Sequence, residues 1–341
     1  MDEITCTATA LRAAKKPFSR IGLAFCAMFL VTTLLQGLLI YVPAILWGED
    51  NWLAASSWGK WIVSFVPLYL VGMPVCVLVM KKLPAQPPQD TPLTKKAFGT
   101  LIPILFCITY AGNLLGNFLS LILSGGTAEN ALNEYAMDTN PIKILVMVIL
   151  APLLEEYICR KQIIDRTRQY GEKLSVFLSA LIFGLMHQNL FQFFYAFGSG
   201  LLFGYIYLRT GRLRYPVLLH GIINFVGAVI APAILSMLDM EKLESIATMD
   251  PSATEEIFAI LAESLPGLLL LMAYTLAQWG LSIAGLVLLI LKYKQITWNN
   301  AETDLPRERR FSAAYLNVGM VIYILLCCAM TVLSFIPAQP A

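Results

Sequence analysis

Apolar positions in this chain fall in long blocks, each interrupted by a short polar stretch. Nine blocks stand out, at roughly 21–47, 60–80, 98–123, 142–164, 174–188, 191–209, 214–238, 266–292 and 313–336. A helix rises about 1.5 Å per residue, so about 20 apolar residues cross the hydrocarbon core of a bilayer. The blocks at 174–188 and 191–209 are short, and the turn near Gln188–Asn189 is tight. They read either as two spans or as one re-entrant hairpin. The pattern therefore predicts an all-α, polytopic transmembrane helical bundle of about eight or nine membrane helices.

The polar stretches alternate in character. Basic residues crowd the N-terminal tail 1–20 (Arg12, Lys15, Lys16, Arg20) and the stretches after 60–80 (Lys81, Lys82, Lys95, Lys96), 142–164, 191–209 and 266–292. The stretches 48–59, 124–141 and 239–265 carry mostly acidic and polar residues. Excess Lys and Arg marks the cytoplasmic side, which puts the N-terminus in the cytoplasm and the C-terminus outside. Trp47, Trp52, Trp58 and Trp61 gather around the first outer loop, where amphipathic rings sit at headgroup level. Pro84, Pro87, Pro88 and Pro92 predict an extended linker over 83–94. The acidic loop 239–265 can hold a short surface helix at 253–263.

Composition agrees with the pattern. Of 341 residues, 58% are hydrophobic and 13% charged, about half the charge of an ordinary soluble domain. A net charge of +2 gives no bulk basic character, so nucleic acid is not an expected partner. The seven cysteines form no CxxC pair or metal-ligand spacing and read as small buried hydrophobes, Cys6 in the tail excepted. The first apolar block, Ile21 to Trp47, is too long for a signal-peptide core and reads as a retained anchor.

A few polar residues interrupt the apolar blocks. The fourth contains Glu155, Glu156 and Arg160. A charge at the centre of a membrane helix costs about 2.5–3.5 kcal/mol on insertion scales, so its presence needs a reason. Glu156 and Arg160 stand at i and i+4 and can pair, each relieving the other's desolvation. Glu155 is turned about 100° away and has no local partner, which makes it the better candidate for chemistry. The chain has two histidines, and both lie in apolar blocks: His187 one turn after Phe183, and His220 one turn before Asn224. A carboxylate and an imidazole can deprotonate a water, while a second imidazole and an amide NH2 can donate to the oxyanion of a tetrahedral intermediate. No G-x-S-x-G elbow is present, and Ser199 beside Gly198, Gly200 and Gly204 reads as a close-packing position.

The three motifs in this order, Glu155-Glu156 with Arg160, Phe183 with His187, and His220 with Asn224, resemble the CAAX prenyl endopeptidase and bacteriocin-processing family, also called CPBP or Abi. The resemblance covers roughly residues 140–240. It implies an intramembrane endopeptidase in which Glu155 and His187 activate water and His220 and Asn224 form the oxyanion hole. Glu156, Arg160 and Phe183 would support them. The implied layout is a cytoplasmic tail 1–20, N-terminal membrane helices 21–139, a catalytic helical core 140–240, an acidic extracytoplasmic loop 241–265 and C-terminal membrane helices 266–341. The implied substrate is a membrane-associated peptide or protein, met by a multi-pass protein of the cell membrane. Zinc could be held by Glu155, His187 and His220, but without H-E-x-x-H and with ligands on three helices a cofactor-free glutamate mechanism is favoured. Two other readings use the same residues: a non-catalytic scaffold or bacteriocin immunity protein, and a proton-coupled transporter. The latter would be expected to show inverted repeats, and none is visible.

Overall fold

In hydrocarbon every backbone N–H and C=O must find its partner within the protein, and a long apolar segment does so as a helix. The computed structural model describes residues 3–250, 252–303 and 305–335, and among them it is all-helical, with no strand. The side chain of Cys6 and the end of the last block, residue 336, lie outside the described residues.

Helix α1 runs from Glu3 to Trp47, so the tail expected at 1–20 is largely helical and continuous with the first span. Its Ala and Lys residues are strong helix formers and no glycine interrupts them. Helix α2 is Ser57–Met80, with a wider, π-helical turn at Pro67–Gly72. Helix α3 is Lys95–Ser124, capped by the Thr94 side chain and closed by Gly125 in the left-handed region (φ 62°). Helix α4, residues 144–167, alternates π-helical turns (Ile144–Leu150, Tyr157–Gln162) with α-helical ones (Ala151–Glu156, Ile163–Thr167). Then follow α5 (Glu172–Leu185), α6 (Leu190–Thr210), α7 (Arg214–Leu235) and α8 (Thr254–Lys292). The chain closes with α9 (Arg307–Tyr315) and α10 (Val318–Leu333).

Among the described residues, six helices are long and apolar enough to cross a membrane: α1, α2, α3, α6, α7 and α8. The pair α9–α10, bent by 58°, makes a seventh if it counts as one span. The sequence count of eight or nine is therefore too high by this measure. Helix α4 drops out because Glu155, Glu156, Arg160 and Lys161 fall within two of its turns. Helix α5 has 14 residues, about 21 Å, too short for a hydrocarbon core of about 30 Å. The surface helix expected at 253–263 is the first part of α8, which continues through Pro266.

Short residues set the closest helix contacts. A Cβ added at Gly200 would stand 3.1 Å from the Ala180 Cα and one at Gly204 3.1 Å from Val176, so the Gly200/Gly204 face seats α6 on α5. The other side of α6 is met by Gly112 and Gly116 of α3, where a Cβ would fall 2.5 Å from Tyr195 and 2.6 Å from Leu190 backbone atoms. Helices α5 and α6 turn back on one another through Gln188, whose φ of 56° marks the tight turn expected there.

The linker 83–94 is extended, as its prolines require, and it is tied down as a strap. Gln86 N–H donates to the Asp165 carbonyl (2.6 Å) and Thr91 N–H to that of Thr210 (2.9 Å). Leu93 N–H donates to the Tyr215 hydroxyl (2.9 Å), and Asp90 pairs with Arg212. The strap thus touches the ends of α4, α6 and α7, the helices that bring most of the polar motif residues together.

Candidate active site

Arg160 sets the centre of the polar cluster. It and Glu156 are fully buried, and the Arg160 Nε donates to Glu156 Oε2 at 2.7 Å. A second edge of the guanidinium donates to Ser179 Oγ on α5 at 2.9 Å, and Ser179 Oγ in turn donates to the Cys159 carbonyl at 2.6 Å. The guanidinium carbon lies 4.5 Å from the centroid of the Phe183 ring. Burying such a charge is tolerable only when pairing and hydrogen bonding replace water, and here both do.

Glu156 has a second partner across the bundle. His220 on α7 places Nδ1 3.0 Å from Glu156 Oε1. A carboxylate accepts, so Nδ1 carries the proton, and in the neutral ring Nε2 holds the lone pair. That Nε2 faces Glu155 Oε2 at 3.9 Å. The ring itself is fixed by aromatic neighbours: Phe203 of α6 stacks on it (centroids 5.7 Å apart, 23° between planes) and Phe183 meets it edge-on at 5.6 Å. Glu156 is therefore more than the partner of Arg160. It sets the tautomer and the orientation of His220, as a carboxylate behind an imidazole does in hydrolytic triads.

Glu155 stands apart from this saturated network. Its side chain is 13% exposed and takes part in no hydrogen bond among the described residues. Its nearest charged-type contact is His220. The phenols of Tyr69 and Tyr195 also lie within electrostatic range of it. His187, at the end of α5, places Nδ1 2.7 Å from the Phe183 carbonyl. A carbonyl can only accept, so Nε2 of neutral His187 keeps its lone pair and acts as an acceptor. The Phe183 ring lies edge-on to His187 at 5.1 Å and so stands between the two histidines.

Asn224 is held differently from the sequence expectation. Its amide Nδ2 donates to the Met147 carbonyl of α4 at 2.8 Å. That carbonyl sits in the π-helical turn Ile144–Leu150, where the regular helix ladder is disturbed and a side-chain donor can substitute. One of the two amide hydrogens is therefore spent on fixing α7 against α4. Ser179 and Phe203 were missed from sequence. Ser179 could have been found: it stands one turn before Phe183, and 179, 183 and 187 share a helix face. Phe203 had no such signal, because its partner is on another helix. Ser199, buried, donates to the Tyr195 carbonyl of its own helix, which fits a close-packing position.

Glu155, His187 and His220 are the residues that would hold a metal ion. Among the described residues no three His, Cys, Asp or Glu side chains converge as a metal-binding group. Both histidines turn Nδ1 to protein acceptors and so leave Nε2, the atom a metal would take, with its lone pair free. The chemistry below is derived from the side chains.

Residues 138–226, which contain Glu155, Glu156, Arg160, Phe183, His187, His220 and Asn224, match the family model described as Type II CAAX prenyl endopeptidase Rce1-like. This core is similar to the CAAX prenyl endopeptidase family. Two relatives agree. YdiL of Bacillus subtilis, provisionally named a membrane peptidase, is 26% identical over 195 residues, or 52% of this chain and 72% of its own length. The membrane-embedded CAAX protease MroQ of Staphylococcus aureus is 37% identical over 112 residues, or 30% of this chain. The chain covers 43% of the length of MroQ, less than half. No solved structure matches the chain. The likeness of this core to the CAAX prenyl endopeptidases, together with the apolar helices, supports a multi-pass membrane protein of the intramembrane peptidase class.

Proposed function

We propose that this protein is an intramembrane endopeptidase that hydrolyses peptide bonds of membrane-associated peptides or proteins, with Glu155 as the base that activates water. The observation that carries this reading is the asymmetry of the two glutamates. Glu156 is saturated by Arg160 and His220, whereas Glu155 keeps its oxygen lone pairs free beside His220 Nε2.

In this reading a water lies between Glu155 and the His187 Nε2 acceptor. As its oxygen bonds to the scissile carbonyl carbon, one O–H bond breaks and the proton passes to Glu155. The carbonyl electron pair moves onto oxygen. The second amide hydrogen of Asn224 meets that oxyanion, together with the Nε2–H of His220 in its imidazolium form, whose additional proton is taken from solvent before the attack and whose Nδ1–H stays on Glu156. Collapse of the intermediate breaks the C–N bond, and Glu155 returns its proton to the leaving amine. The cell membrane is the proposed location, with the N-terminus in the cytoplasm; cysteine labelling at 83–94 from the cytoplasmic side and at 244–256 from outside checks that orientation.

Incubation of the purified protein with a library of membrane peptides tests the function. Cleavage is expected in the wild type, undiminished by a chelator, and absent in Glu155→Gln, which keeps shape and loses charge while remaining monodisperse. Full activity in Glu155→Gln overturns the assignment of the base.

A further inference from the structure

A groove of about 1270 Å³ opens where the start of α1, the ends of α2 and α4, and the start of α10 meet. It exceeds the ~300–1,000 Å³ typical of clefts for small molecules. Its lining mixes two chemistries. Lys15, Lys16, Arg20 and Arg166 contribute cations, and no acidic residue lines it. Leu23, Val79, Val318 and Val321 are among its apolar walls.

No carboxylate forms an ion pair with Lys15, Lys16, Arg20 or Arg166 among the described residues. Arg166 is the telling one, because it is 8% exposed. Its guanidinium donates only to neutral acceptors, the carbonyls of Met80 and Gln162, each at 3.1 Å. Asp165 lies within electrostatic range of it, but that carboxylate is engaged by the Tyr207 hydroxyl and by Lys161 and accepts no hydrogen bond from Arg166. A buried guanidinium is most stable with an anion paired to it directly. The first turn of α10, Val318 onward, adds the positive end of a helix to the same wall.

The position along the helices fixes the depth. Arg20 directly precedes the first apolar block, so the cations lie at headgroup level, and Leu23 and Val321 lie deeper along the walls. Anionic at the interface and apolar below it is the chemistry of one kind of ligand. We propose that this groove is a binding site for a single anionic phospholipid, its phosphate among Lys16, Arg20 and Arg166 and its acyl chains along Val318 and Val321. Arg166 stands eleven residues beyond Glu155 on α4, roughly 15 Å along the helix. The groove is thus separate from the polar cluster but shares a helix with it.

The test uses full-length protein purified in detergent, with bound lipid counted by native mass spectrometry. The probes are phosphatidylglycerol, phosphatidylcholine with the same acyl chains, and soluble glycerol 3-phosphate. One phosphatidylglycerol per chain should be retained at least about tenfold better than phosphatidylcholine, and glycerol 3-phosphate should not displace it. The double variant Lys16→Gln/Arg20→Gln, at side chains that are exposed or half-buried and need not disturb the fold, should weaken phosphatidylglycerol by about twenty-five-fold, a factor of about five per charge. Val321→Trp, which leaves every charge in place, should lower retention of both lipids. Equal retention of the two lipids by the wild type overturns the proposal, as does phosphatidylglycerol binding that neither variant changes. Displacement by glycerol 3-phosphate overturns it in favour of a phosphate site.

Discussion

Two carboxylates organise this molecule, both shielded from water but with partners that differ in solvation. Asp138 lies in the outer loop before α4 and accepts from Ser57 Oγ (2.7 Å), Trp61 Nε1 (2.9 Å) and the Asn140 N–H (2.9 Å), with Lys60 3.4 Å away. Glu156 sits in the bundle and accepts from Arg160 and His220. The bond inventories are similar, but their surroundings differ. Around Asp138 the partner Lys60 is 28% exposed and nearby Glu134 63%, so water can replace a lost partner. Around Glu156 both members of the ion pair are at 0%. Equal numbers of hydrogen bonds therefore carry unequal consequences: the outer knot fastens a loop, whereas the inner one cannot lose a member without stranding a charge.

Breaking the inner knot gives the largest expected effect. Glu156→Gln leaves Arg160 buried without its counter-charge and His220 without its anchor, which should cost about 3–5 kcal/mol. Thermal unfolding in detergent reads this directly, and activity should fall with it. A variant as stable as the wild type yet inactive would mean that Glu156, and not Glu155, is the base.

Asn224→Ala comes next and sharpens the distinction within the inner site. Loss of one donor to an oxyanion costs about 10²–10³ in kcat with little change in KM, because the charge exists only in the transition state. If the amide serves only to tie α7 to the Met147 carbonyl, stability falls instead and the kcat of the folded fraction is preserved. Measuring kcat, KM and unfolding on the same preparation separates the two.

The outer knot should respond least, and to pH. Burial works to raise the Asp138 pKa, but the Asn140, Ser57 and Trp61 donors and the Lys60 charge outweigh it and hold the carboxyl well below the usual carboxylate range. A group whose folded pKa is depressed contributes stability that is present above its unfolded pKa and lost as pH falls through the folded one. The contribution of Asp138 should thus be intact above about pH 4, the unfolded aspartate value, and drain away below it. Asp138→Asn should lower stability by about 1 kcal/mol at neutral pH and flatten that acid limb. An acid limb identical to that of the wild type would remove Asp138 from this role.

What could be read from the chain follows the range of each interaction. The apolar blocks gave the spans of α1, α2, α3, α6, α7 and α8 because hydrocarbon acts on each segment by itself. The Glu156–Arg160 pair was legible because i and i+4 face one another on any helix. The bond from His220 to Glu156 and the one from Asn224 to Met147 were not, because each joins two helices whose relative rotation is a property of packing. That same gap hid the orienting role of Glu156 behind its structural one. The π-helical turns of α4 were invisible too, since their residues, such as Ile144–Leu150, are ordinary helix formers. Two further blocks fall outside the six long apolar helices because α5 stops at Leu185 and charges occupy the middle of α4.

The strap over 83–94 has a consequence for how this protein can change. Gln86, Thr91 and Leu93 are fastened through their backbone N–H groups, and the Gln86 carbonyl also accepts from Arg168 at 2.8 Å. Backbone fastenings are blind to the side chains they carry, so residues between them, apart from Asp90 with its Arg212 pair, can be exchanged so long as none needs a helix. The spacing between fastenings has no such freedom. Four residues separate Gln86 from Thr91, and one inserted or removed there would shift every later attachment out of register. In this segment the quantity that the gene must keep constant is a length, and the letters that fill it are secondary.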